Sequence, residues 1–333
     1  MVIHGPSAGA GSVALLLIAY GGRNDGLFHG GIGSSPFFPT QPKVEDLEWQ
    51  FDRFSIAAGC GNAADQLRCL RSKDTGTLQT ANHGTPYPGR SSLPLWYFTP
   101  TVDGDFLQDY PYRLFAQGKF IKVPTIWGDE TDEGSILAPN ATSPTEVTEF
   151  MKINYPKLSD KDAKVINKLY PLMPPVPKHS AYFPSASAAY GECTFICPGL
   201  YVSEVLARHL KSWNYRYNVL DDANLAAGLG VPHTWIIPAV FGLGNVGILY
   251  GDGKGYKTYN APIVPVVMHY FISFVRTLNP NTLKYREAPN WEGFEVGWRR
   301  LRMQTNATEM ERVPKQQRER CRYWTGVGVK LEQ

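Results

Sequence analysis

The sequence predicts an α/β fold with a mainly parallel central sheet and helices on both faces, on two observations. Short apolar runs of strand length alternate with helical segments along the whole chain, and no linker, internal repeat or low-complexity block divides it. The second is a Gly-x-Ser-x-Gly pentapeptide, Gly5-Pro6-Ser7-Ala8-Gly9, between a short apolar run and a helical stretch. That is the sequence form of a strand turning sharply into a helix. Gly5 and Gly9 have no Cβ to clash as the chain doubles back. Ser7 then sits at the tip with its hydroxyl exposed, and the amide of Ala8 points at a developing oxyanion.

The elements follow in order. Ala10–Tyr20 is apolar and reads as the buried helix after the turn, and at about eleven residues it is too short to span a membrane. It lacks the basic segment that precedes a signal-peptide core. Gly21–Gly26 is a turn, and Gly30–Ser35 a strand of small residues. Val44–Gly59 carries apolar residues at helical spacing, and Ala63–Arg71 continues as helix. Gly76–Pro94, rich in Gly, Pro, Ser and Thr, reads as loop. Val123–Gly128 has the length of a buried parallel strand and runs into an acidic loop. Residues 143–170 read as a helical pair capped by Ser143 and Ser159, broken by Met173-Pro174-Pro175-Val176-Pro177. Pro198–Trp213 reads as helix, Asn214–Leu220 as strand, and Ala261–Leu278 as a long apolar helix ending at Asn279-Pro280.

Composition sets bounds. With 333 residues, 43% hydrophobic, the chain can bury a large core. A net charge of +3 and the absence of a Lys/Arg cluster argue against nucleic acid as a partner. An aromatic content of 13% suits a deep apolar cleft and a packed core equally. Five cysteines leave one over, and Cys60 and Cys69 flank a short polar segment whose length permits a small closed loop. Together with the sequons Asn140-Ala-Thr142 and Asn306-Ala-Thr308, they fit an oxidising secretory route and an extracellular protein.

Serine is a poor nucleophile at neutral pH, so Ser7 needs a positioned base, and the base needs an acid to fix its tautomer. In parallel sheets these partners come from loops after later strands, in the order Ser, Asp/Glu, His. Glu133 lies in Asp129-Glu130-Thr131-Asp132-Glu133-Gly134-Ser135, just past the strand at 123–128, where such sheets place ligand groups. His233 lies in Val231-Pro232-His233-Thr234-Trp235, after the strand at 214–220. Each signal alone is modest. A random Gly-x-Ser-x-Gly arises roughly once in ten chains of this size. An acidic loop is most often solvated surface, and His233 is one of seven histidines. Of the rest, His269 in the apolar helix reads as a core histidine with its hydrogen bonds satisfied. Trp96, Tyr97 and Phe98 divide evenly between lining an acyl pocket and packing a core.

The segments GPSAGAGSV, GLFHGGIGSS, TPTVDGDFL, PTIWGDETDEGS, VPHTW followed by VFG, VVMHYFISFVRTLNPN and CRYW occur in the order in which they stand in the type-B carboxylesterase/lipase family. The chain resembles that family nearly end to end. The resemblance implies the α/β-hydrolase fold and hydrolysis of a small-molecule or lipid ester, with no metal or organic cofactor. It makes Ser7 the nucleophile, Glu133 the acid, His233 the base and Ala8 one oxyanion donor. Ser35 becomes a serine that supports the histidine and acid from behind, and the pairs Cys60–Cys69 and Cys197–Cys321 become disulfides, leaving Cys193 free. Pro6 departs from the family's usual glutamate. Family members carry a long segment ahead of the serine turn. The resemblance therefore implies that residues 1–333 are the C-terminal two-thirds of a single domain, without its first strands and without the Gly-Gly loop that completes the oxyanion hole. On that expectation the chain alone folds poorly and is weakly active. A catalytically inactive, cholinesterase-like binding protein is the alternative class.

Overall fold

In the computed structural model, residues 1–247, 253–295 and 297–333 are described. Strand β1 (Val2–Pro6) turns into helix α1 (Ala8–Ile18), and β2 (Gly30–Ser34) follows. Helices α2 (Glu48–Ala57), α3 (Gln66–Arg71) and α4 (Thr75–Ala81) form an excursion, and α5 (Pro111–Ala116) leads into β3 (Thr125–Glu130). Next come α6 (Pro144–Asn154), α7 (Asp160–Leu169) and α8 (Phe183–Gly191), which passes through a π-helical turn at Glu192–Ile196 into α9 (Cys197–Ala207). Strand β4 (Ser212–Tyr217) precedes the short helices α10 (Asp222–Ala227), α11 (Ile237–Phe241) and α12 (Lys254–Lys257). The long α13 (Ile263–Thr277), β5 (Arg299–Met303), β6 (Glu309–Arg312) and α14 (Lys315–Val327) complete the chain.

The sheet runs β1-β2-β3-β4-β5-β6, parallel through β5, with β6 antiparallel at the edge. Successive strand residues serve opposite faces. Ile32 and Ile126 join Tyr215, Tyr217 and Phe271 of α13 in one core, while Trp127 joins Val13 and Leu17 of α1 and Val202 of α9 in the other. The small-residue composition of β2 is explained by its neighbour: a Cβ on Gly33 would lie 2.2 Å from the Trp127 ring. Two disulfides are present, Cys60–Cys69 closing a short loop and Cys197–Cys321 tying α9 to α14, and Cys193 is free and buried.

The predicted α/β class with a mainly parallel sheet is what the chain forms. The helical pair is capped as expected, Ser143 accepting from the Glu146 amide and Ser159 from the Asp162 amide in a capping box. Several boundaries differ. Thr75–Ala81, read as loop from Gly76 onward, is a helix because Asp74 accepts from the Thr77 amide. Residues 63–65 are turn rather than helix, since Asp65 caps α3 from outside. Helix α9 stops at Ala207 and β4 starts at Ser212, ahead of the expected break at residue 213. His269 is exposed rather than a core residue, although its Nδ1 does pair with the Leu283 carbonyl at 3.1 Å.

Candidate active site

Ser7 sits at the junction of β1 and α1 with φ 57 and ψ −122, a backbone conformation that costs a non-glycine residue on the order of 1–3 kcal/mol. The surroundings enforce it. The Ser7 amide donates to the Ser34 carbonyl at 2.9 Å, and the Ser7 carbonyl accepts from Gly11 at 3.0 Å and Phe37 at 3.3 Å. A Cβ on Gly5 would lie 2.4 Å from the Gly9 carbonyl carbon, so the turn closes only with glycine there. Ala8 is exposed and opens α1, so its amide belongs to the helix N-terminus, where such groups lack an intrahelical partner.

His233 Nε2 lies 2.8 Å from Ser7 Oγ, and its Nδ1 is hydrogen-bonded to Glu133 Oε2. In the tautomer that satisfies both, Nδ1–H donates to the carboxylate and Nε2 accepts from the serine. Residues 226 and 100 positions apart in sequence thus form one line. Glu133 is 1% exposed and His233 9%. Burial pushes the His233 pKa down to about 4, only partly opposed by the nearby Glu130 carboxyl, which keeps the imidazole neutral near pH 7. The same burial pushes Glu133 up.

The two loops that carry these residues are clasped together. Asp132 N donates to Val231 O at 3.0 Å, and Val231 N donates to Asp132 Oδ2 at 2.8 Å, so the acid loop and the histidine loop share a bridge at Asp132 and Pro232. The Phe195 ring packs on His233 at 4.4 Å, then against Phe37 at 5.8 Å, and Phe37 meets Trp96 edge-on at 5.5 Å. Sequence reasoning found neither Asp132 nor Phe195, and only their places beside a motif residue or within an apolar run could have marked them. Phe98 is 64% exposed and lines a separate groove with Leu47, Phe51 and Leu78.

Ser35 lies behind the line, but its hydroxyl donates to Glu130 rather than directly to the histidine. Among the described residues, Glu130, Glu133 and His233 form the group whose donor atoms lie close enough to hold a metal, within 4.8 Å of one another, yet these atoms already bond each other and their neighbours. A cavity of about 440 Å³ backs onto Glu133 and is lined by Phe183, Glu192 and Arg320, without Ser7 or His233. Both sequon asparagines are exposed, Asn140 accepting from the Ser180 amide at 2.7 Å and Asn306 in a left-handed turn at φ 56. No helix among the described residues is long and apolar enough to cross a membrane.

A parallel sheet with helices on both faces, carrying a serine at a strand-to-helix turn on its first strand, defines the α/β-hydrolase class. Residues 1–324 match the model of the carboxylesterase family, and the chain belongs to that family. The crystal structure of Aspergillus niger EstA is similar over the whole chain, with 52% identity and a TM-score of 0.96, this chain covering 65% of it. Lipase 1 of Geotrichum candidum is 36% identical over 51% of this chain and 33% of its own length. Secreted lipase 4 of Gibberella zeae is 25% identical over 97% of this chain and 59% of its own length. The chain thus spans about a third to two-thirds of the proteins it resembles.

Proposed function

We propose that the protein hydrolyses carboxylic esters through an acyl-enzyme on Ser7, with His233 as general base and Glu133 as the acid that orients it. The hydrogen-bonded line from Ser7 Oγ through His233 to Glu133 carries this reading. Neutral His233 takes the serine proton as Oγ attacks the ester carbonyl. The Ala8 amide supports the oxyanion, and Glu133 stabilises the imidazolium. His233 then returns the proton to the departing alcohol, and water clears the acyl group by the same route. The row Phe195, Phe37, Trp96 leads outward from His233 and supplies an apolar wall for the acyl chain of a small-molecule or lipid ester. We read residues 1–333 as belonging to one α/β-hydrolase domain. The two disulfides and the relatives named secreted lipases support an extracellular location.

Each oxyanion donor is worth about 10²–10³ in rate, so slow turnover alone does not discount a competent Ser7. Covalent labelling of Ser7 by an organophosphate, read by mass spectrometry, therefore accompanies p-nitrophenyl butyrate hydrolysis as the test. Ser7→Ala is expected to lose labelling and at least about 10⁴-fold in turnover, with an unchanged melting temperature. A wild-type protein that is folded yet neither labelled nor active would sink the reading in favour of a non-catalytic binding protein.

A further inference from the structure

Glu130 is a fully buried carboxyl that the mechanism above leaves unused. It ends β3, where its neighbour Asp129 turns the other way, toward Gly199 of α9. Ser35 Oγ donates to Glu130 Oε2, and the Ile236 amide, three residues past His233, donates to Glu130 Oε1 at 3.1 Å. The Glu130 amide donates to Glu133 Oε1 at 2.8 Å, and the two side chains bring carboxyl oxygens within 4.8 Å of each other. Glu130 therefore touches the serine behind the site, the acid and the histidine loop at once.

Two carboxylates cannot both stay charged in one buried space, so the pair holds a proton between them. The partners decide where it resides. Glu133 faces His233, the group that becomes positive during turnover, and accepts a backbone N–H. Glu130 acts on the same imidazole only through space and faces the hydroxyls of Tyr215 and Tyr217 on β4 and Tyr256 on α12, with Glu133 and Asp129 as its acidic neighbours. The guanidinium of Arg300 on β5 acts on Asp129 instead. Resting on the triad reading above, we propose that Glu130 is a positioning residue that works as a neutral carboxylic acid, donating its proton to Glu133 and so keeping the pair's single negative charge on the carboxyl that faces His233. Burial first, then the charge of Glu133, pushes the Glu130 pKa up to about 8, in keeping with that role. Above that pH Glu130 ionises and stops donating. The two carboxylates then repel, and Glu133 is moved off His233.

The test is the pH profile of Ser7 labelling by an organophosphate, alongside kcat and KM for p-nitrophenyl butyrate. Glu130→Gln keeps the shape and offers an amide donor in place of the acid O–H. It is expected to stay within about threefold of wild type at pH 7, and to lack the alkaline decline expected of wild type near pH 8. Glu130→Leu has no donor and is expected to lose about 10- to 100-fold in kcat with KM unchanged, as a misplaced catalytic group does. Should the leucine variant fail to fold, the glutamine profile alone decides. A glutamine variant that loses as much as leucine is expected to, or that keeps the wild-type alkaline decline, overturns the proposal. Failure of the underlying reading looks different: Ser7→Ala would then label and turn over like wild type.

Discussion

At the carboxyl ends of β1 to β4, each candidate residue is held by several bonds to neighbouring strands and loops. Ser7 is fixed through Ser34, Gly11 and Phe37, Glu133 through the Glu130 amide, and the histidine loop through Asp132. The excursion between Lys43 and Val102 is held otherwise. It leaves and returns at one place, where Lys43 pairs with Val102 and the Val102 amide donates to Pro42 at 3.0 Å. Its own core is four buried residues, Ala58, Cys60, Leu70 and Ala81, and it leaves Phe51, Ile56, Leu67, Leu93 and Phe98 exposed. The strand ends get their precision from the sheet's continuous hydrogen bonding, whereas the excursion depends on a disulfide, a few aromatic contacts and isolated hydrogen bonds to the main body, such as Leu95 N to Asn154 Oδ1 at 2.9 Å.

Removing one disulfide at a time probes this difference most strongly. In the chain-entropy model, opening the bridge across a separation of 124 residues costs about 5 kcal/mol, against about 3 kcal/mol for the separation of 9. Cys321→Ser is expected to lower the melting temperature of the whole molecule, because α14 is packed into the main core through Trp324. Cys60→Ser is expected to loosen only the excursion, read as new proteolytic cuts between residues 43 and 102 at little cost to Ser7 labelling. A Cys60→Ser variant that melts as early as Cys321→Ser would show that the two regions fold as one unit.

The arginine pair at the far edge of the sheet is the next lever. Arg216 and Arg300 both bind Glu311, at 2.5 and 2.7 Å, joining β4, β5 and β6. Burial alone would raise the Glu311 pKa, but the two guanidinium groups outweigh it and hold it at about 2. A carboxyl with a folded pKa below its ordinary 4.5 contributes stability that is complete above pH 4.5 and lost as the pH falls toward 2. With solvent screening allowed for, that contribution is about 2 kcal/mol. Glu311→Gln is expected to lose it at neutral pH and to flatten that part of the acid denaturation curve. The excursion's proteolysis pattern should not change.

The candidate site was legible in the sequence where a short motif fixes local geometry. Gly5 to Gly9 closes in one way, and Ser143 and Ser159 cap as their side chains dictate. Other features were hidden by composition. Strand β5 reads Arg-Arg-Leu-Arg-Met, and only the pairing of Arg300 with Glu311 and of Arg302 with Glu309 lets so charged a segment enter a sheet. Residues 183–196 lack a clear apolar period because small residues and a π turn interrupt it. Glu130 and Asp132 looked like solvated acids beside Glu133, and burial and hydrogen bonding, which emerge only from the assembled sheet, separate them.

Trp96 is where the two regions meet, and it carries the smallest effect and the finest test. Its indole N–H donates to the Tyr190 hydroxyl at 3.0 Å and its ring abuts Phe37, placing one side chain of the excursion at the end of the row that starts on His233. With Trp96 42% exposed, its truncation should cost little stability, a change in melting temperature within about 2 °C. The lost aromatic wall is expected to weaken substrate contact by about 1 kcal/mol, a five- to tenfold rise in KM for p-nitrophenyl butyrate at unchanged kcat. Phe98, two residues on but facing the other groove, is the control, and Phe98→Ala should leave KM as it was. If both variants raise KM alike, the excursion acts on the site as a body. If neither does, the aromatic row ends at Phe37, and the strand ends bind the acyl chain without help from the excursion.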